Sequence, residues 1–374
     1  MARSLAACLM RQARAVTALF LATSWVFAAC DTSEPRDTSE PGEHRVSTGF
    51  PGNWHTVTEI GVMDGPPESE VFGPIRHAVV MESGGLTVLD VQSSRISGFD
   101  AEGRHTFSFG RSGSGPGEFT DPTGLLRIAD DTLAVVSRAK RLIQYFVPDS
   151  VGTFVEAERS ALLPLWPNGS CVMEGRIFVL GYLEESSVHE VDRDGSVRRS
   201  FSGSELGEWA EEGAPESVAW AWRDEAVSGR LVCSEDSQTI IHIPNRTGWV
   251  RAYTLGGDLA WHAPIRDFTR VLILPAAGGG VKYNFDPDLK FSHDVTGAAE
   301  VEQGVLGISV EKHLPRGQEP SNEGLLVLLD IETGIEVGRE VYGGVLLDGS
   351  SHRTAVTHDL PFPKVTVLAP PTLR

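Results

Sequence analysis

The chain is poor in cysteine, in cationic side chains and in long apolar runs, and each shortage removes a class of explanation. Four cysteines in 374 residues are too few for a disulfide-built scaffold. Lys and Arg number 32 against 51 Asp and Glu, a formal charge of −19, which argues against nucleic acid or anionic lipid headgroups as partners. No apolar run reaches the roughly 20 residues that cross a bilayer comfortably. Long amphipathic helical periodicity is missing as well, which leaves strands to carry the fold. Among the 11 histidines there is no His-x-His, no His-Glu-x-x-His and no close Cys/His cluster, so no metal or other cofactor is expected from local spacing. A serine-hydrolase elbow is also lacking: Gly203-Ser-Glu-Leu-Gly207 has Glu205 where that motif needs its serine.

What is present begins with a leader. Arg3, Arg11 and Arg14 precede the apolar stretch Ala15–Ala29, and no acid occurs before Asp31. A basic start, a short apolar run and small residues before a cut site make a secretory signal rather than a retained span. Phe27-Ala-Ala-Cys30 resembles a bacterial lipobox, which implies cleavage before Cys30 and acylation of its sulfur. The next residues, Asp31-Thr-Ser-Glu-Pro-Arg-Asp-Thr-Ser-Glu-Pro-Gly42, nearly repeat themselves and cannot bury a core, as suits a flexible tether. The expected organisation is a signal at 1–29, an acylated cysteine and tether at 30–53, a folded body at 54–370 and a tail at 371–374. The protein is expected to be exported and anchored by lipid, facing the periplasm or the cell surface. Loss of the leader would remove three Arg and bring the net charge near −22. Cys171 and Cys233 would then be the remaining pair, either bridged or as two buried thiols.

The body repeats. Phe99-Asp-Ala-Glu-Gly-Arg-His-Thr-Phe-Ser-Phe109 aligns with Val191-Asp-Arg-Asp-Gly-Ser-Val-Arg-Arg-Ser-Phe201, and Leu329-Asp-Ile-Glu-Thr-Gly334 repeats the same turn. Between the first two copies, Leu133-Ala-Val-Val-Ser137 echoes Leu86-Thr-Val-Leu-Asp90, and Arg141–Phe146 echoes Arg95–Asp100. The copies therefore stand two units apart, at a period of about 46 residues, within the range of four-stranded propeller blades. Further strand groups are expected to start near Ile177, Leu231, Val305 and Ala355, with one short helix at Glu205–Glu212. The reading is all-β, a propeller of six blades, with seven as the alternative. The blade completed by Ala355–Thr357 and Lys364–Leu368 should borrow Thr56–Val62, so that first and last segments close the ring.

Phe109-Gly-Arg-Ser-Gly-Ser-Gly-Pro-Gly-Glu-Phe-Thr-Asp-Pro122 resembles the connector between blades of NHL-type six-bladed β-propellers, and Asp90-Val-Gln-Ser-Ser-Arg-Ile96 is similar to their Asp-x-x-x-x-Arg-Ile strand pair. The likeness spans about residues 84–203. It implies that Gly110, Gly113, Gly115, Pro116, Gly117, Phe119 and Pro122 shape a tight crossing, with Phe119 plugging the gap between sheets. The glycine run is not a phosphate cradle, because Glu118-Phe119 stands where a P-loop needs Lys and Ser/Thr. Asp192-Arg-Asp-Gly195 reads as a hairpin turn rather than a calcium loop, since the distal Glu and other oxygen ligands are missing. Trp220 and Trp222 would share one face if they lay in a strand, and with Trp166, Trp209, Trp249 and Trp261 they are expected to wedge blades apart rather than to stack against sugars.

No catalytic residue emerges from spacing. The expectation is a binding or protein-interaction scaffold with a protein or small-molecule partner. The alternative is a channel-site enzyme of lactonase-like hydrolase or lyase type, since related six-bladed folds include both.

Overall fold

The computed structural model describes residues 54–62, 72–81, 83–129, 132–150, 152–157, 160–202, 215–285, 288–314, 324–350, 352–359 and 362–370. Cys30, the leader and tether, Glu205–Glu212 with Trp209, and the 371–374 tail lie outside these residues.

The described chain forms six antiparallel blades, five of four strands and one, blade 2, in which a short fifth strand, Ala161–Leu162, also pairs with the third. Their innermost strands are Ile75–Val80, Pro122–Ala129, Gly169–Met173, Gly229–Ser234, Ser292–Glu302 and Val345–Ser350, in blades 1 to 6. Each innermost strand packs beside the next, and that of blade 6 packs beside that of blade 1, so the ring is closed. The body is a six-bladed β-propeller. Blade 6 takes its outermost strand, His55–Ile60, from the start of the chain; it pairs with Lys364–Ala369 from His55↔Ala369 to Ile60↔Val365. The closure expected from Thr56–Val62 is thus observed, and it gives Lys364–Ala369 a sheet partner on both sides.

The reason for a ring lies in burial. Leu86–Asp90 and Thr239–Pro244 are buried along their whole length, so these sheets need apolar cover on both faces. That cover comes from neighbours: six hydrophobic clusters sit one at each junction between blades. The cluster joining blades 1 and 2 is centred on Phe119, which is 0% exposed and meets Phe146 edge to face. The connector that delivers it pairs Arg111–Ser112 with Glu118–Phe119 in a short parallel ladder. Gly110 adopts φ +87°, and a Cβ there would stand 2.2 Å from the Phe119 ring, so only glycine fits. Glu118 accepts the Gly115 amide and the Arg111 guanidinium, which ties the glycine run to itself.

The repeated hairpin joins the third and fourth strands of blades 1, 3 and 5. Asp100, Asp192 and Asp330 each accept an amide from a positive-φ glycine: Gly103, Gly195 and Gly334. Blade 2 uses the same device at Asp149 and Gly152, a copy that composition alone did not single out. At the junction of blades 3 and 4, Cys171 and Cys233 are joined by a disulfide with Cα atoms 5.7 Å apart.

Two expectations need correction. Strand groups begin one strand earlier than Ile177, Val305 and Ala355, with Gly169–Met173, Ser292–Glu302 and Val345–Ser350. Those innermost strands carry Gly, Ser, His and Asp because they face a polar channel, so they lack the apolar stamp of the strands behind them. Trp220 and Trp222 lie in a helix, Glu216–Val227, not a strand. Two residues apart on a helix they diverge: Trp222 is buried and Trp220 is 61% exposed. The helix lays Val218, Ala221 and Trp222 on Val271, Ile273 and Val281 of an added hairpin, Leu272–Pro275 with Val281–Asn284. The wedge reading holds for Trp261, whose Nε1 donates to the Ile331 carbonyl of the next blade at 2.7 Å. It fails for Trp166, which is 60% exposed beneath the Arg141 guanidinium.

Candidate functional site: the channel and its mouth

The innermost strands enclose a central channel of about 680 Å³. Where those strands begin, the channel opens into a basin of about 340 Å³ walled by Glu225, Ser228, Asn245, Arg246, Asp294, Glu311 and Asp359. Arg76 and Arg230 belong to both cavities and mark their junction.

Local backbone irregularity sets which side chains face inward. In blade 1 the register slips between Ile75 and His77, and in blade 6 between Leu346 and Asp348. A bulge of this kind breaks the period-2 alternation and re-aims a side chain, so Arg76 and His77 both line the channel although they are adjacent. Arg76 donates to the Ile75 carbonyl and lies 3.4 Å from Asp359. Arg230 donates through Nη2 to the Thr296 carbonyl, while its Nε is shielded and has no partner among the described residues. Burial, followed by the nearby Arg76, lowers the Arg230 pKa to about 10. His77 stands deep in the channel beside both arginines; burial first, then Arg230 and Arg76, push it down to about 3, so its ring is neutral at physiological pH.

In the basin, Arg246 pairs with Asp294 at 3.0 Å and with Glu225 at 3.4 Å. Burial raises the carboxyl pKa of Glu225, opposed by Arg246, and that of Glu311, opposed by Arg76. Further down the channel, Asp348 accepts the Val80 amide at 2.7 Å. Burial nevertheless lifts its pKa to about 6, with the Val80 and Gly349 amides and Arg127 acting against the rise. Burial likewise raises Glu300, whose Oε1 accepts the Gly304 amide at 3.0 Å. Among the described residues, no group of three His, Cys, Asp or Glu is arranged to hold a metal ion.

The residues singled out from sequence fall elsewhere. Gly110, Gly113, Gly115, Pro116, Gly117 and Phe119 build the crossing from blade 1 to blade 2, and Pro122 opens the innermost strand of blade 2. Cys171 and Cys233 do reach the channel wall, as its disulfide. Arg76, His77, Arg230 and Asp348 went unremarked in the sequence. Their signal was there in the form of charged or imidazole side chains interrupting a short strand, as in Ile75-Arg-His-Ala-Val-Val80 and Val345-Leu-Leu-Asp348.

No protein-family model matches the chain, and no curated protein matches it in sequence. Solved structures do resemble it. A protein of Bacteroides fragilis ascribed to export is 12% identical with a TM-score of 0.53, over 84% of this chain and 94% of that one. A member of the DUF4221 family from Bacteroides vulgatus is 9% identical with a TM-score of 0.54, over 84% and 97%. A gluconolactonase of Xanthomonas campestris is 16% identical at a TM-score of 0.44, over 79% and 85%. At such identities the first two share the propeller fold with this chain, and chemistry must be argued from its own site.

Proposed function

We propose that the chain is an exported lipoprotein, tethered through acylated Cys30, whose propeller binds a small molecule at the mouth of its channel. The carrying observation is the concave basin in which Arg76, Arg230, Arg246, Glu225, Asp294 and Glu311 converge above a continuous channel. Concavity with a few convergent polar groups is the usual form of a ligand site. Export is supported by the basic leader and by the Cys171–Cys233 bridge, which persists in oxidising compartments. In the described residues no helix is long and apolar enough to cross a membrane.

A second reading has one observation in its favour. Asp348, with a pKa near 6 inside the channel, is tuned toward the range of a general acid or base, as a hydrolase or lyase would need. One experiment separates the two. The full chain is purified from its native membrane and analysed by native mass spectrometry with metal analysis. A stoichiometric small molecule released unchanged supports binding; conversion of that molecule on incubation, abolished by Asp348→Asn, supports catalysis. Cys30→Ala should release the protein from the membrane fraction, and retention would overturn the lipid tether.

A further inference from the structure

We propose that Arg76 and Arg230 form a collar that captures the oxyanion of a small ligand, a carboxylate or phosphate group, at the junction of basin and channel. This rests on the reading of the mouth as a binding site and names the chemistry bound there.

The argument starts from a mismatch of charge. Acids outnumber Lys and Arg by 51 to 32 in this chain, yet Arg230 has no carboxylate within ion-pair distance among the described residues. Its contacts are one carbonyl and the field of a second arginine. Arg76 faces two carboxylates from the basin, Asp359 at 3.4 Å in an exposed pair that contributes little and Glu311, whose raised pKa its field opposes. Arg230 thus carries its charge out of water and next to a second guanidinium with no carboxylate of its own among the described residues, a cost that its one carbonyl contact does not explain. An oxyanion between them would offset it, and planar guanidinium forks match carboxylate and phosphate geometry. His77, neutral beside them, supplies a ring donor without adding repulsion.

The surroundings narrow the placement. Glu225 and Asp294 are occupied by Arg246, and Asp359 and Glu311 lie on the basin wall, so the anionic end belongs at the collar and the rest of the ligand in the basin. A basin of about 340 Å³ suits a small ligand. The overall negative charge does not forbid this, because at physiological salt fields fade over about 8 Å and the collar dominates at contact.

The test uses the full lipidated chain in nonionic detergent, with histidines labelled for NMR. Sodium acetate, inorganic phosphate and methylammonium chloride are titrated at matched ionic strength. Acetate or phosphate should shift the His77 ring signal saturably, and methylammonium should not; the stronger of the two anions identifies the group. Arg230→Gln and Arg76→Gln should each weaken anion binding at least tenfold, whereas Arg104→Gln, on an exposed hairpin, should leave it unchanged. If Arg230→Gln fails to fold, Arg76→Gln and Arg230→Lys carry the test, the latter keeping charge but losing the fork and so binding more weakly. Equal binding by wild type and both Gln variants, or no response to either anion, overturns the collar. A co-purifying neutral or cationic ligand in the basin would do so too while leaving the binding role intact; absence of any bound molecule together with no anion response would remove both.

Discussion

Blades 1 to 3 and blades 4 to 6 are built from the same sheet and used differently. In the first half, the innermost strands start at Ile75, Pro122 and Gly169, nearly evenly spaced, and the connectors are short. The second half carries the helix Glu216–Val227, the extra hairpin at 272–284 and the long inner hairpin of blade 5. Every residue walling the basin comes from this second half except Arg76. The regular half resembles its own repeat because it needs only to fill junctions; the irregular half departs from the repeat where it builds a mouth. In this ring, deviation from the repeat is the better guide to the site.

If that division holds, core truncation in the regular half should cost most and leave the mouth's chemistry alone. Phe119→Ala should destabilise by about 3–5 kcal/mol in chemical denaturation, as expected for a fully buried ring. Next comes the staple between the halves. Cys171→Ala or Cys233→Ala should cost about 2–4 kcal/mol, and reductant should lower the wild-type Tm but not the mutant's. A smaller effect, of opposite sign, is expected at His242, in the irregular half. It is 0% exposed, neither ring nitrogen has a partner among the described residues, and burial followed by Arg251 lowers its pKa to about 3. Because the folded ring stays neutral while the unfolded one takes up a proton near its ordinary value of 6.5, stability falls as pH drops from above 6.5 towards 3. His242→Leu should therefore gain about 1–2 kcal/mol at pH 5 by removing that loss and two unpaired nitrogens; no gain would show that the ring is satisfied by water.

Asp348 titrates the other way. Its folded pKa, raised to about 6, makes it contribute fully below the unfolded value of 3.8 and lose that contribution as pH rises through 6. Asp348→Asn should accordingly help by about 1 kcal/mol at pH 8 and hardly at all at pH 4, a small figure because the channel admits solvent. Equal effects at both pH values would remove the shift. Least of all, Arg104→Gln on the blade 1 hairpin should leave the denaturation midpoint unchanged within error, since Arg104 and its partners Asp100 and Glu102 are at the surface.

Much of the ring was legible in the residues. The Asp-x-x-Gly turns pointed to the hairpins of blades 1 and 3 and the one-residue-longer Asp330–Gly334 turn to that of blade 5, the Gly-Pro-Gly-Glu-Phe segment pointed to a crossing, and Thr56–Val62 and Lys364–Leu368 read as partners. The starts of three blades were not legible, because an innermost strand facing a polar channel has no apolar alternation to detect. Nor was the helix at 216–227, where Trp-Ala-Trp suited a strand as well as a helix turn. The collar was hidden for a different reason. Arg76 and Arg230 lie far apart in the chain on blades 1 and 4, and a bulge between Ile75 and His77 decides what faces inward. Pattern over a few residues carries no trace of either.

The clasp of the ring also sets an order of events in time. Of the described strands His55–Ile60 is made first, yet its only sheet partner among them, Lys364–Ala369, is made last. The earliest strand must wait unpaired while the other five blades assemble, and pairing across so long an intervening chain is slow to find. A chain stopped a dozen residues short would hold nearly all its sheets and still be unbuckled, its first strand an open template for any passing edge.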